Sequence, residues 1–96
     1  MTLEEFEVTL ADARPPAGAA ALLQALWYEA KGEWEPAHRI AQDDDSADGA
    51  WVHAFLHRVE GDRGNAGYWY QRAGRPRAEG PLREEWRAIV SELLCR

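Results

Sequence analysis

Two stretches of the sequence, HRVEGDRGNAGYWYQ (residues 57–71) and YEAKGEWEPAHRIAQ (residues 28–42), align without gaps, residue 57 against residue 28. The matched positions include a turn glycine, the acidic residue after it and a small residue: Gly32 with Gly61, Glu33 with Asp62, and Ala37 with Ala66. Glycine readily ends a helix in the left-handed conformation, and a small residue lets two helices approach each other closely. The repeat therefore predicts two helical hairpins, at about 17–42 and 48–73.

Amphipathic helices are predicted on both sides of this repeat. Near the N-terminus, Thr2 and Glu5 have the spacing of a capping box, and a pair of prolines ends the short helix that follows. A C-terminal helix at about 81–95 carries one broad apolar stripe, formed by Leu82, Trp86, Ile89, Val90, Leu93 and Leu94. No run alternates between apolar and polar residues over the length of a strand, so we predict an all-α single domain at 1–96.

The two hairpins resemble the tetratricopeptide repeat and the related Sel1-like repeats, in which a Gly-Asp turn and an alanine in the second helix recur. The segment HAFLHRVEGDRGNAGYWYQRAGR (residues 53–75) also resembles a group of small uncharacterised bacterial proteins with a helical repeat-like fold. The resemblance implies two helix-turn-helix hairpins plus N- and C-terminal helices, in a compact right-handed helical array or a five-helix bundle. It implies no particular activity.

Charge and composition argue against several classes of function. The net charge is −6 over 96 residues, and no dense basic face is present that could offset the charge of nucleic-acid phosphates. No apolar run approaches the roughly 20 residues of a membrane span, and the N-terminal segment MTLEEFEVTL does not resemble a signal peptide. Cys95 is the only cysteine, so no internal disulfide can form. We therefore expect a cytoplasmic protein that binds neither nucleic acid nor membrane.

The most distinctive polar residues are His53 and His57, which lie one helical turn apart, with Glu60 three residues further on. An i, i+4 histidine pair can bind a metal ion if Glu60, or His38 on the preceding helix, supplies a third ligand. Acid–base chemistry would use one histidine oriented by Glu60. Alternatively, the imidazoles are buried, donate hydrogen bonds to Glu60 or other acceptors, and stabilise the packing of the hairpin.

Packing is the interpretation that the sequence favours. Ala54 stands where a zinc protease has the glutamate that acts as general base, and neither serine lies beside a histidine. We therefore expect no catalytic residue, no metal ion and no cofactor, with His57 at least half buried. The face formed by His53, His57 and Glu60 remains the alternative site for a metal ion or a small ligand.

A run of aromatic residues, Tyr68, Trp69 and Tyr70, suggests a second candidate binding site. Three consecutive residues point around about 200° of a helix, so they cannot all line one pocket. We expect Trp69 or Tyr70 to point inward, and we include Tyr70 and Arg72 among the candidate binding residues. Asn65 is interpreted as the N-cap of the helix that carries this run.

The opposite face of the histidine-bearing helix forms an apolar wall that includes Trp51 and Phe55, with Arg58 beside them. So much apolar surface is not expected to remain in water. Either a terminal helix covers the wall, or the wall is a groove for a partner helix or for a second copy of the chain.

The function that the sequence favours is a non-catalytic module for protein–protein interaction or assembly, with a protein partner or a homodimer. The alternative is a metal- or small-ligand-binding protein, conceivably an enzyme, that uses the face formed by His53, His57 and Glu60.

Overall fold

The computed structural model describes residues 1–96 and consists of α-helices, one short 3₁₀-helix and no β-strand. The predicted all-α class is therefore confirmed. The six helices are α1 (Leu3–Val8), α2 (Ala21–Ala30), α3 (Trp34–Gln42), α4 (Ala47–Val59), α5 (Arg63–Ala73) and α6 (Leu82–Leu94), and the 3₁₀-helix Thr9–Ala11 follows α1. None of the helices has the length and apolar character needed to cross a lipid bilayer.

The two hairpin turns have the same hydrogen bonds, shifted by the spacing of the sequence repeat. In the turn between α2 and α3, the amide of Gly32 donates to the carbonyl of Glu29 at 2.9 Å, and the next amide donates to Tyr28. In the turn between α4 and α5, the amide of Gly61 donates to Arg58 at 3.1 Å, and the next amide donates to His57. Both glycines have a φ near +83°, which L-residues with side chains rarely adopt. The repeat seen in the sequence is thus a repeat in backbone structure.

Some helix starts differ from the sequence-based predictions. The first hairpin is predicted to begin at about 17, but α2 begins at Ala21, because Gly18 is left-handed and Ala20 is extended. Asn65 was predicted as the N-cap of α5, and this prediction is wrong. The N-cap is Asp62, whose carboxylate accepts hydrogen bonds from the backbone and side-chain amides of Asn65.

Helix α6 packs across α2 and α4 and covers the predicted apolar wall. Phe55 is fully buried, and Trp51 is buried beneath the guanidinium of Arg75, which lies 3.4 Å from the centre of its ring. The indole of Trp86 donates a hydrogen bond of 2.8 Å to the carbonyl of Leu26, which fixes α6 against α2. Of the two alternatives for the wall, the structure therefore contains the one in which a terminal helix covers it.

Candidate functional site

Three histidines meet where α3 crosses α4. His38 comes from α3 in the first hairpin, while His53 and His57 lie one turn apart on α4 in the second. One ring nitrogen of each residue lies within 4.8 Å of the others. His53 and His57 are buried, with 4 % and 8 % of their surface exposed, and His38 is partly exposed at the edge. We refer to these three residues as the histidine cluster.

Hydrogen bonds fix the rings of the histidine cluster. The Nε2 atoms of His38 and His53 lie 3.0 Å apart, which is the distance of a direct hydrogen bond. Nδ1 of His57 lies 2.6 Å from Oε1 of Glu60. A carboxylate can only accept a hydrogen bond, so Nδ1 of His57 carries a proton, and in the neutral imidazole the lone pair is on Nε2. The predicted contact between His57 and Glu60 and the predicted burial of His57 are both confirmed.

Two tryptophans flank the cluster on opposite sides. The ring of Trp34 stacks on His38 with centroids 4.6 Å apart, and the ring of Trp69 stacks on His53 with centroids 3.9 Å apart. Trp34 is itself held by a hydrogen bond of 2.7 Å from its indole to the carbonyl of Leu56. Because large, rigid rings enclose the imidazoles, they are held in one orientation before any ligand binds.

Burial favours the neutral form of two members of the cluster, His38 and His53. Desolvation, followed by the nearby His38 and His57, lowers the pKa of His53 from the ordinary 6.5 to about 4. Desolvation and the charge of His57 also lower the pKa of His38, against the opposing effect of Glu35 and Glu60. Neutral imidazole is the form that binds metal ions, so these two side chains require no deprotonation before binding at pH 7.

The separation between two of the three ring nitrogens suits a tetrahedral metal ion. Metal–nitrogen bonds of about 2.0–2.1 Å place ligand nitrogens roughly 3.3–3.4 Å apart, close to the 3.0 Å between His38 and His53. The contact between His57 and Glu60 is the carboxylate–histidine pair that orients imidazole ligands in known metal sites. Glu60 and Asp62 also lie near His57, but Asp62 is already used to cap α5. The three imidazoles are therefore the better donor set.

The remaining predicted binding residues do not lie in this cluster. Tyr70 points inward, as expected for one member of the aromatic run, and its hydroxyl donates a hydrogen bond of 2.6 Å to Glu85. Burial and this hydrogen bond raise the pKa of Tyr70. Arg58 donates to the same carboxylate at 2.9 Å. These residues form a separate polar group beneath α6.

Arg72 lies on the solvent side of α5, where its guanidinium bonds to the hydroxyl of Tyr68 and lies 5.3 Å from the ring centre of Trp69. Trp51 and Phe55 belong to the core. The predicted site residues thus divide into four places: the histidine cluster with Glu60, the polar group around Glu85, the exposed face of α5, and the core.

Sequence reasoning missed Trp34 and Glu85, and it assigned Trp69 to a second candidate site rather than to the histidines. Trp34 precedes His38 by four residues, and this spacing could have indicated that the two rings share a face of α3. Glu85 gives no such signal, because helix α5 and the linker after it separate Glu85 from Arg58 in the sequence.

No protein-family model, no curated protein and no solved structure matches this chain. The resemblance to tetratricopeptide and Sel1-like repeats, and to a group of small bacterial proteins, therefore stays a prediction. The all-α fold and the geometry of the histidine cluster come from the structure of this chain alone.

Proposed function

We propose that this protein binds a divalent transition-metal ion, with zinc as the best fit, through His38, His53 and His57. The observation that carries the proposal is the convergence of one ring nitrogen from each of three imidazoles within 4.8 Å. Imidazole suits zinc, copper and nickel, whereas calcium and magnesium prefer oxygen ligands. The hydrogen bond between His38 and His53 that the ion replaces contributes only about 1 kcal/mol. The metal–ligand bonds therefore need to offset only the loss of this one hydrogen bond.

The ion would join the two hairpins, because His38 belongs to the first and the other two ligands belong to the second. The rings of Trp34 and Trp69 cover the cluster on two sides. The main cavities of the surface are lined by residues elsewhere in the fold. This arrangement favours a metal ion that stabilises or switches the packing of α3 against α4, and the function proposed is binding without catalysis.

The test is a titration of metal-free protein with Zn²⁺, followed by isothermal calorimetry and by chemical denaturation. We expect one ion per chain. At free Zn²⁺ about 100-fold above the dissociation constant, the free energy of unfolding should rise by about 2.7 kcal/mol. Titration with Co²⁺ supplies a second readout, because its visible absorption spectrum reports tetrahedral nitrogen coordination.

Variants separate the histidine cluster from adventitious binding. His38→Gln removes a ligand at the partly exposed edge of the cluster, and we expect the affinity for Zn²⁺ to fall by more than about 100-fold. Glu60→Gln should weaken binding by about 10–100-fold, because it removes the carboxylate that orients His57. Asp45→Asn, in the acidic turn before α4, is the matched control and should change nothing. Either of two results would sink the proposal: stoichiometric binding with unchanged affinity in His38→Gln, or loss of binding in Asp45→Asn.

The interaction function favoured by the sequence stays a prediction. The apolar wall that this function would use, which includes Trp51 and Phe55, is buried beneath α6. A protein partner would therefore have to displace α6 or bind to another face. Light scattering at increasing protein concentration, with and without Zn²⁺, measures whether the chain self-associates.

A further inference from the structure

A surface cavity lies beside α5, and none of the three histidines lines it. It has a volume of about 450 Å³, within the range of small-molecule sites. Its walls come from the end of α4, the start of α5 and the linker between α5 and α6. Three arginines line it, namely Arg58, Arg63 and Arg77, and Glu79 is its one acidic residue. We call this site the arginine pocket.

The positive charge of the arginine pocket is only partly neutralised by the ion pairs of the protein. Arg58 is paired with Glu85, but neither Arg63 nor Arg77 has a carboxylate within 4.0 Å. Elsewhere in the chain the ion pairs engage Arg75, Arg83, Arg87 and Arg96. Arg14, Arg39 and Arg72 form no ion pair either, so what distinguishes Arg63 and Arg77 is that both line the same cavity.

Gly67 allows one of these guanidiniums to lie across the pocket. A Cβ built on Gly67 would lie 2.1 Å from Nη2 and 2.4 Å from Cζ of Arg77. Any side chain at this position would therefore push the end of Arg77 away. Gly67 lies in the middle of α5, where glycine costs about 1 kcal/mol relative to alanine. The close approach of Arg77 is a physical reason for a glycine at that position.

Two further side chains of the pocket, Arg58 and Tyr70, are fixed in place by hydrogen bonds. Arg58 donates to Glu85 and to the carbonyl of Gly80, which holds the linker against the end of α4. The buried hydroxyl of Tyr70 donates to the second oxygen of Glu85. Because Glu85 is neutralised by Arg58 and oriented by Tyr70, it does not compete for the two unpaired arginines.

From this geometry we infer that the arginine pocket binds the phosphate group of a small molecule, held by Arg63 and Arg77. A guanidinium presents paired N–H donors that match the oxygens of a phosphate, and charge-assisted hydrogen bonds of this kind are among the strongest in proteins. Two guanidiniums also balance the two negative charges of a phosphate monoester. The site is separate from the histidine cluster and does not depend on the proposed metal ion.

The test measures binding of inorganic phosphate, phenyl phosphate and acetate by calorimetry and by amide chemical shifts. Chelator is present throughout, and the ionic strength is held constant with sodium chloride. We expect phenyl phosphate to bind most tightly, inorganic phosphate less tightly and acetate most weakly, with shifts centred on residues 63–67 and 77–80. Tighter binding of inorganic phosphate would assign the site to the free ion and overturn the assignment to a small molecule.

Three variants test the residues. Arg63→Gln and Arg77→Gln should each weaken phenyl phosphate binding about tenfold or more. Gly67→Ala should weaken it as well while leaving the protein as stable or more stable, since alanine favours the helix and displaces only the end of Arg77. Arg14→Gln, which removes an unpaired arginine far from the pocket, is the control for overall charge.

Two further results would overturn the inference. One is a dissociation constant for phenyl phosphate weaker than about 10 mM. The other is an equal loss of affinity in Arg14→Gln, which indicates attraction by net charge and no defined site. Neither result bears on zinc binding, which is measured without phosphate and on different side chains.

Discussion

His38 and His53 belong to different hairpins, and their Nε2 atoms lie 3.0 Å apart. A hydrogen bond between two imidazole nitrogens needs one nitrogen that carries a proton and one that does not. If both nitrogens are protonated, the bond is replaced by the repulsion of two positive charges. The hydrogen bond that joins α3 to α4 therefore requires that one of the two Nε2 atoms stays unprotonated.

Stability of the metal-free protein should fall when this pair is protonated. The pKa of His53 is about 4 in the folded protein and 6.5 in the absence of burial, so below pH 6.5 the unfolded chain binds a proton that the folded chain does not. The contribution of neutral His53 to the free energy of unfolding is fully present above pH 6.5 and is lost as the pH falls toward 4. The expected loss is about 3 kcal/mol, measured by urea denaturation in chelator.

The charged and titratable groups that face His53 are His38, His57 and, through His57, Glu60. His38 contributes in the same direction, because its pKa is also lowered. In His53→Gln, which cannot take up a proton, the slope between pH 6.5 and 4 should be smaller. An unchanged slope in this variant would mean that other groups cause the loss of stability.

A second prediction concerns Glu85, the acceptor shared by Arg58 and Tyr70. Glu85→Ala leaves a largely buried guanidinium and a buried hydroxyl without their partner. We expect the free energy of unfolding to fall by about 3–5 kcal/mol, as for other broken buried ion pairs. Tyr70→Phe removes only one donor and should cost about 1 kcal/mol.

The matched control for Glu85→Ala is Arg87→Ala. Arg87 forms its ion pairs with Glu4 and Glu7 on the surface, where solvent screens the charges. The control should change the free energy of unfolding by less than about 1 kcal/mol. If guanidinium denaturation shows the same loss of free energy of unfolding in both variants, the ion pair between Arg58 and Glu85 does not act as a buried contact.

The fold could be predicted to the extent that it depends on local spacing. Helical periodicity indicates six amphipathic segments, and the turn glycines Gly32 and Gly61 mark both hairpins. The start of α2 could not be predicted, because the apolar pattern extends through Gly18 while the backbone there is left-handed. The N-cap of α5 depends on the backbone conformation at Asp62, because the sequence alone allows either Asp62 or Asn65 to be the N-cap residue.

The candidate site could be predicted only in part, for a related reason. The period of a helix places His53 and His57 on one face, and that follows from the sequence alone. The approach of His38 depends on the angle at which α3 crosses α4, which no local pattern specifies. The arginine pocket depends in addition on the path of the linker that carries Arg77, so its members could not be grouped in advance.

A third prediction tests the equivalence of the two hairpin turns. Gly32→Ala and Gly61→Ala each force a side chain into a left-handed conformation, so we expect both variants to lose about 1–2 kcal/mol of stability. Gly64→Ala is the control, because Gly64 lies in the first turn of α5 and has room for a Cβ. Alanine there should be neutral or stabilising. Thermal denaturation of the three variants measures these changes. If only one of the two turn variants is destabilised, the two hairpin turns are not equivalent.

The last prediction distinguishes a core wall from a binding surface. Phe55 is fully buried, and the guanidinium of Arg83 lies over its ring. Phe55→Ala removes a large side chain from the packed core, so the free energy of unfolding should fall by about 3–5 kcal/mol. Tyr68→Ala is the surface control, because Tyr68 is 51 % exposed and should cost little stability.

Light scattering on both variants completes this comparison. If Phe55 is a core residue, Phe55→Ala lowers stability without a specific effect on the mass of the particle in solution. The opposite result is unchanged stability together with the loss of a dimer. That result would mean that α6 leaves the wall in solution, and the wall would then be the protein-binding groove that the sequence suggests.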